Sequence, residues 1–440
     1  MADARGICGG DSDSDDANDL RETQLEPESG TSSGSDTEGE DKQEDLEPVR
    51  AAIIVMTAII QGYTLIGPLQ HDLKVKLSIG DTGQVGHVFT TAVTSVQYGK
   101  MVMTLGQNAL LACFSPKLRV YLAMAVMFVG CLIPLCIFLF DLKWVGLVFI
   151  SYFMIGLALG VFEPTFVSVI TPLGPQTKSW AIMGFPMAFG IVNIIGMTLI
   201  AMGMSVEVLF AYIAGFIPVG FFVFRKIMPE QQVDAKGRSH EQVSIMDSFC
   251  DWQSWLLRMI PFLLANFVSH FAMECIVPAN LNTFNANVVP LFGRYETTHL
   301  MNKRMFFVVF FIFVLIGDSG SRRFVYLCCE IRTYKRFVGA LWVAFTLNIL
   351  GIWLTTLGIG VVSWASALCA FTGNGANYAI SARYIDKHVP RKHNLAAYSF
   401  WMFIGYIGAI LGSQLVDLVR YWVCMDQETT YQCHASHGHR

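Results

Sequence analysis

Residues 119–140 read RVYLAMAVMFVGCLIPLCIFLF, and Arg119 carries the only charge in this stretch. About 20 apolar residues of helix span the hydrocarbon core of a bilayer, and lipid offers no hydrogen-bond partner to a free backbone amide. The stretch therefore predicts a transmembrane helix. The rest of the chain suits the same environment, because 53% of its 440 residues are hydrophobic and only 15% are charged, a balance too apolar for an ordinary soluble domain.

Further apolar runs of bilayer length follow one another from Ala51 onward, on both sides of this stretch. Eleven helices are predicted in total, at 51–69, 85–113, 119–140, 144–172, 180–203, 206–224, 255–280, 304–320, 337–357, 359–384 and 395–423. A polar segment at 225–254 separates the first six from the last five. We therefore predict an all-α polytopic membrane protein with a six-helix half at 49–224, a cytosolic connecting loop at 225–254 and a second helical half at 255–423. This is the layout of transporters built from two related bundles.

The charged residues predict how the chain is oriented. Residues 1–48 hold 16 Asp/Glu against three Lys/Arg and almost no aromatics, so we predict a disordered acidic tail. The connections that share a side with this tail carry 14 Lys/Arg, and the opposite loops and tail carry six. Because basic residues concentrate on the cytosolic side, the amino terminus is predicted to be cytosolic. An odd number of helices then puts the final tail, 424–440, on the far side.

Familiar catalytic motifs are missing from the sequence. It contains no P-loop, no HExxH and no CxxC, and its one GxSxG match, Gly30–Gly34, lies in the acidic tail rather than between a strand and a helix, so nucleotide-driven pumping and the common hydrolases have no support. We predict a protein that is not an enzyme, with no cofactor, no metal and no nucleic-acid partner. The predicted partners are the lipid bilayer, a small polar solute and protons. The predicted role is to move that solute across an internal membrane.

Ionisable side chains inside predicted helices are costly and usually face a cavity or a partner. Glu163 of the fourth helix directly precedes Pro164, and a proline there frees a backbone carbonyl and bends the helix. A carboxylate at such a bend is placed to bind a proton or a cationic group. The alternative is a structural role in which Glu163 is tied to Lys100 of the second helix or to a backbone amide. We assign both residues to the solute or proton pathway.

Two further pairs are spaced four residues apart, and each pair therefore lies on one helix face. His270 and Glu274 in the seventh helix could sense lumenal pH, since a neighbouring carboxylate favours the imidazolium form; a structural hydrogen-bonded pair is the alternative. Asp318 and Arg322 in the eighth helix are predicted to form a salt bridge that gates the cytosolic end, although Arg322 could belong only to the basic cytosolic cluster. Asn374, in a glycine-rich part of the tenth helix, joins the predicted pathway.

Several of these stretches resemble the battenin family of lysosomal and vacuolar membrane proteins. Glu163-Pro-Thr-Phe-Val-Ser168 is similar to that family's Glu-x-Thr-Phe-x-Ser, and residues 317–322 with Cys328-Cys329-Glu-Ile-Arg332 are similar to its Gly-x-x-x-Ser-Arg and Cys-Cys-x-Ile-Arg pair. The resemblance is diluted but covers most of residues 51–420. It implies a lysosomal or vacuolar transporter or facilitator for a glycerophosphodiester or a basic amino acid, linked to the pH of the organelle.

The equilibrative nucleoside transporters also resemble the chain. They share eleven helices, a long connection after the sixth helix, and an Asp and an Arg four apart in the eighth, which Asp318 and Arg322 match. The Asn and Gly that flank that Asp in the transporters are Leu315 and Ser321 here. A non-transporting membrane scaffold is the third alternative. We predict a major-facilitator-like bundle that works by alternating access, with Glu163 and the seventh-helix pair lining its cavity.

Overall fold

The computed structural model describes residues 49–66, 69–79, 84–228, 252–283, 288–293, 296–328, 333–390 and 393–416. The predicted acidic tail (1–48) and the predicted final tail (424–440) lie outside these ranges, as does most of the predicted connecting loop at 225–254.

Helices make up nearly all of the described part of the chain. They are α1 (Ala52–Thr64), α2 (Gln70–Lys76), α3 (Gln84–Leu110), α4 (Pro116–Phe140), α5 (Gly146–Val169), α6 (Pro175–Ala201), α7 (Val206–Ile227), α8 (Trp252–Thr283), α9 (Lys303–Cys328), α10 (Tyr334–Thr356), α11 (Gly360–His388) and α12 (Asn394–Gln414). Each of them except α2 coincides with one predicted helix. The prediction of an all-α bundle is confirmed, with a helix at each of the eleven predicted positions.

Eight of the described helices, α4 to α10 and α12, are long and apolar enough to cross a membrane. The first helix is apolar but has only 13 residues. Helices α3 and α11 have 27 and 29 residues and are more polar. Three residues of the candidate site, Lys100, Asn374 and Tyr378, come from these two helices.

Some predicted boundaries are wrong by a few residues. The predicted helix 51–69 ends at Thr64, four residues before Pro68, because the position before a proline disfavours helix. The predicted helix 180–203 begins at Pro175, since a proline suits the first position of a helix. The predicted helix 359–384 continues to His388.

A short β-hairpin, which the sequence analysis did not predict, lies between α8 and α9. Strand β1 (Val288–Pro290) pairs antiparallel with β2 (Leu300–Asn302). The backbone N–H of Val361 donates to the carbonyl of Leu291 at 3.0 Å. The hairpin is thereby attached to the start of α11.

The helices pack as two sets that meet along a limited number of helix pairs. In the first set α5 packs against α3 and α4, and α1 packs against α6 and α7. In the second set α11 packs against α9 and α10, and α8 packs against α10 and α12. The main contacts between the sets are α3 with α12 and α6 with α9. The bundle therefore has two halves, as predicted, and the site described below lies where they meet.

Two glycines allow α5 to lie directly against α3. A Cβ atom on Gly156 would be 2.2 Å from the carbonyl oxygen of Val96, and one on Gly160 would be 2.5 Å from that of Lys100. Small residues four apart let two helix backbones approach closely in a membrane. This crossing fixes the backbone of Lys100 against α5, one turn from Glu163.

A proline inside a helix removes an N–H donor and leaves the carbonyl four residues earlier without its usual partner. Pro134 lies inside α4, and the carbonyl of Gly130 instead accepts a hydrogen bond from the Ser151 hydroxyl of α5 at 2.8 Å. Since lipid cannot satisfy such a group, the bond joins α4 to α5.

Candidate functional site

A small polar cavity lies where the two halves meet. Its walls are formed by ionisable, amide, aromatic and thioether side chains from both halves, namely Tyr63, Lys100, Glu163, Phe185, His270, Met273, Glu274, Arg322, Asn374, Tyr378 and Tyr406. The five residues assigned to the solute or proton pathway from the sequence are all on this wall. One of the two proposed gating residues, Arg322, is there as well.

Glu163 of α5 is held by the opposite half. Its Oε2 accepts a hydrogen bond from the Tyr406 hydroxyl of α12 at 2.9 Å. Its Oε1 accepts a longer one, 3.3 Å, from the Tyr378 hydroxyl of α11. The side chain is only 6% exposed, so each of these bonds to a carboxylate replaces a bond to water.

Glu274 of α8 has the reverse arrangement, because its partners are in the first half. Its Oε1 accepts from the Tyr63 hydroxyl of α1 at 2.7 Å and from the Gln97 side-chain amide of α3 at 2.8 Å. The cavity therefore contains two carboxylates from opposite halves. Each is oriented by hydroxyl or amide donors across the division between the halves.

The predicted pairing of His270 with Glu274 is wrong in its details. Both side chains line the cavity, as expected for residues four apart on one helix face, but the described residues show no hydrogen bond or ion pair between them. The imidazole Nδ1 lies 3.1 Å from the carbonyl oxygen of Asn266, and its ring meets the edge of Tyr406 at 5.9 Å. Glu274 instead accepts hydrogen bonds from Tyr63 and Gln97, which are far away in sequence.

Lys100 of α3 is buried, and no carboxylate of the described residues lies within ion-pair distance of it. Its Nζ lies 3.5 Å from the ring centroid of Tyr63 and 5.3 Å from that of Tyr406. In the part of the chain that the structure describes it forms no hydrogen bond through Nζ and no ion pair, although its side chain is only 6% exposed. The alternative in which Glu163 is tied to Lys100 is therefore wrong. Aromatic faces attract this ammonium, but they do not neutralise it.

Asp318 and Arg322 of α9 form the ion pair expected from their spacing, with Arg322 Nε donating to Asp318 Oδ1 at 2.9 Å. Both side chains are buried. The guanidinium also lies 4.3 Å from the ring centroid of Tyr378, and its Nη1 donates to the carbonyl of Ile182 at 3.3 Å. Because Pro186 has no N–H, that carbonyl lacks its helical partner. Arg322 thus connects α9 to α6 of the other half.

Asn374 sits at the closest approach between α11 and α9. Its side-chain nitrogen lies 3.4 Å from Asp318 Oδ1. A Cβ atom on the neighbouring Gly375 would be 2.4 Å from the Asp318 carbonyl oxygen. The glycine-rich stretch therefore has a packing role here, and it brings the amide of Asn374 to the cavity wall.

The charged groups of the wall do not balance one another. Asp318 and Arg322 neutralise each other as a pair. Lys100, Glu163 and Glu274 remain, with two potential negative charges against one positive charge. A cavity with this set attracts a proton or a cationic group to its carboxylates, while the Lys100 ammonium, which forms no ion pair, is placed to contact an anionic group of the same solute.

The tyrosines of the wall, together with Phe185 and Met273, were not predicted from the sequence to belong to the site. Tyr378 and Tyr406 lie in apolar runs, where a phenol counts as one more hydrophobic residue. No spacing along the chain links them to Glu163, which lies on a different helix; the general rule that a buried phenol needs a hydrogen-bond partner is the one available signal. The described residues contain no group of three or more His, Cys, Asp or Glu that could hold a metal ion.

The comparisons with known proteins identify the fold. No protein-family model and no curated protein matches the chain. A solved structure of FucP, a major facilitator superfamily transporter in its outward conformation, is similar with a TM-score of 0.54 at 12% identity, over 86% of this chain and 99% of FucP. The peptide transporter POT, a mutant in complex with alafosfalin, gives 0.57 at 14% identity over 84% of this chain and 87% of POT.

A mutant of the nucleoside transporter NupG is also similar, with a TM-score of 0.51 at 13% identity over 86% of this chain and 92% of NupG. At these identities the likeness concerns the fold. The chain therefore has the major facilitator fold, which is the fold class predicted from the sequence.

Proposed function

We propose that this chain is a secondary transporter that moves a small polar solute through the cavity between its two halves by alternating access. The observation that carries the proposal is the convergence of Lys100, Glu163 and Glu274 on one cavity. These residues come from α3, α5 and α8, and so from both halves. Intramembrane ionisable groups that face a shared cavity mark solute and ion pathways, and substrate sites of such transporters lie between their halves.

The hydrogen bonds across the division suggest how the site is coupled to movement. Opening the cavity would separate Glu163 from Tyr378 and Tyr406, and Glu274 from Tyr63. Hydrogen bonds to a charged group contribute about 1.5–3 kcal/mol each. A proton or cationic group that binds to a carboxylate takes over part of this stabilisation. The halves then separate more readily in the loaded protein than in the empty one.

The charges also bear on the class of solute. In this structure the cavity has room for about one or two water molecules, so a solute can enter only after the halves move apart. Both solute classes proposed here, a glycerophosphodiester and a basic amino acid, bring an anionic group that suits Lys100. A basic amino acid also brings a cation for Glu163 or Glu274, and we rank it first for that reason.

The cellular setting is part of the proposal. The battenin-like motifs favour a lysosomal or vacuolar membrane, where a proton gradient is present to drive coupling. The excess of basic residues favours a cytosolic amino terminus. We propose the boundary between the halves within residues 225–254, with 49–224 and 255–423 as the moving bodies.

Uptake into vesicles tests the proposal. The full chain is reconstituted into proteoliposomes, and uptake of labelled arginine, lysine and glycerophosphocholine is measured with and without a pH gradient. We expect Glu163→Gln to reduce uptake at least tenfold and to abolish its dependence on the gradient. Glu207→Gln is the matched control, since Glu207 lies in the first turn of α7, outside the cavity wall. Normal, gradient-dependent uptake by Glu163→Gln would remove that carboxylate from the mechanism.

Nucleoside transport is the second candidate. The observation in its favour is the buried Asp318–Arg322 pair on the eighth membrane helix, which matches the motif of the equilibrative nucleoside transporters. Uptake of labelled uridine or adenosine by the same vesicles, without competition from arginine, would favour it. If none of these solutes is taken up by any variant, a non-transporting scaffold becomes the better description.

A further inference from the structure

A second cluster of buried charge lies away from the cavity, where α6 begins and α11 ends. Lys178 of α6 is 1% exposed and Asp386 of α11 is 23% exposed. The Lys178 ammonium donates to Asp386 Oδ1 at 2.6 Å and to Oδ2 at 2.7 Å. It also donates to the Tyr398 hydroxyl of α12 at 2.8 Å and to the Thr171 hydroxyl at 3.1 Å. Three of these four contacts cross from the first half to the second.

Neighbouring groups reinforce the same junction. The guanidinium of Arg323 on α9 donates to the Ser179 hydroxyl at 2.8 Å and lies 4.7 Å from the ring centroid of Trp180. The Tyr398 hydroxyl lies 2.9 Å from the carbonyl oxygen of Ala382. The first turns of α6 thus contact three helices of the other half, and Lys178 is the charge at the centre of this contact.

The cluster lies at one end of the cavity rather than on its wall. On α11, Asp386 lies eight positions after the wall residue Tyr378. On α12, Tyr398 lies eight positions before the wall residue Tyr406. At 1.5 Å per residue each interval is about 12 Å along the helix. On α6, Lys178 precedes the wall residue Phe185 by seven residues, which is about 10 Å. On all three helices the cluster therefore lies about two turns from the cavity wall, toward the same end of the bundle.

A gate has to join parts that separate. The ion pair between Asp318 and Arg322 lies within one helix, so it can persist whether the halves are together or apart. The pair between Lys178 and Asp386 links α6 to α11 and must break before the halves can part at this end. We propose that Lys178 and Asp386, with Tyr398, form the latch that closes the cavity at this end. The latch replaces Asp318–Arg322 as the gating ion pair.

This inference rests on the proposed transport function, but accessibility tests it without knowledge of the solute. Met273, a residue of the cavity wall, is replaced by cysteine in the full chain. The purified protein is reconstituted into proteoliposomes, and a membrane-impermeant thiol reagent is added outside. Labelling of the chain without the new cysteine is subtracted. Lys387→Cys places a cysteine at an exposed position next to the latch. The extent of its labelling gives the fraction of molecules whose latch end faces the reagent.

Asp386→Asn removes one charge of the latch, and we expect it to accelerate labelling of Met273→Cys from the latch end at least tenfold. Lys178→Met is the second variant, because it leaves the more exposed partner and avoids stranding a buried ammonium; it should accelerate labelling to a similar extent. Asp141→Asn is the matched control. Asp141 forms an ion pair with Lys76 at 3.1 Å, a contact inside the first half, so its loss should leave labelling at the parent rate.

The latch is overturned if both latch variants label at the parent rate, or if Asp141→Asn accelerates labelling as much as they do. A cysteine at 273 that is not labelled from either side of the membrane in any variant would sink the transport proposal together with the latch. Normal solute uptake with latch variants that label no faster would sink the latch alone.

Discussion

The close crossing of α3 and α5 can be tested with one methyl group. In Gly156→Ala the added Cβ would be 2.2 Å from the Val96 carbonyl oxygen, whereas ordinary contacts of this kind begin near 3.4 Å. The obstructing atom belongs to a helix backbone and cannot rotate away. The two helices would therefore have to separate by about 1 Å, a distance that follows from the contact geometry of carbon and oxygen.

Two opposing effects determine the magnitude. Overpacking a close contact costs about 1–3 kcal/mol, and a rigid backbone obstacle belongs at the upper end of that range. Alanine is favoured over glycine inside a helix by about 1 kcal/mol. The net expectation for Gly156→Ala is a loss of about 2 kcal/mol in the free energy of unfolding, in keeping with these two values.

The assay is unfolding of the purified chain in mixed micelles with increasing denaturing detergent. Gly215→Ala is the matched control, because nothing lies within 4 Å of a Cβ at Gly215 of α7; it should be neutral or slightly stabilising. If Gly156→Ala is as stable as Gly215→Ala, the backbone contact does not hold α3 against α5. Solute uptake by Gly156→Ala should also fall, since a shift of α3 moves Lys100 relative to Glu163.

Three further predictions concern the cavity wall and the ion pair beside it. Asp318→Asn leaves the Arg322 guanidinium buried without its counter-charge, so the free energy of unfolding should fall by about 3–5 kcal/mol. The double variant that also carries Arg322→Gln should recover part of this loss. If the losses of the two single variants simply add in the double variant, the two residues are not coupled. Lys100→Met should unfold at higher denaturant than the parent while uptake is lost, because it removes a buried ammonium that forms no ion pair; unchanged uptake would show that this charge has no role. Tyr406→Phe should slow uptake by about tenfold or more, since one hydrogen bond to the Glu163 carboxylate is worth about 1.5–3 kcal/mol, and an unchanged rate would show that this bond is irrelevant to transport.

The fold was predictable because lipid imposes a simple rule on sequence. An apolar run of bilayer length has to be a helix, and eleven such runs could be counted without any knowledge of tertiary contacts. The rule is less exact at the ends, where water is again available to backbone groups. Pro175 carried a start signal that the apolar pattern alone did not use, and the last turn of α11 is polar enough to pass for a loop.

Because of these boundary errors, the ion pair between Lys178 and Asp386 was not predicted. With the fifth helix starting at 180 and the tenth ending at 384, both Lys178 and Asp386 fell in predicted loops, where charges are expected and attract no attention. Only the tertiary structure shows that these residues, 208 apart in sequence, form a buried ion pair. The intramembrane ionisable residues were recognisable from sequence because a charge inside an apolar run is unusual wherever its partner lies.

The hydrogen-bond partners of those charges could not be predicted from spacing within one helix, because the partners lie on other helices. His270 and Glu274 share a helix face, yet Glu274 is bonded to Tyr63 and Gln97 of the other half. A bond inside one rigid body contributes equally to every arrangement of the two bodies, and so it cannot favour one of them. A bond that crosses the division contributes only while the halves are together. The carboxylates of this cavity take their main donors across the division, which is the arrangement that lets binding at the site change the balance between open and closed forms.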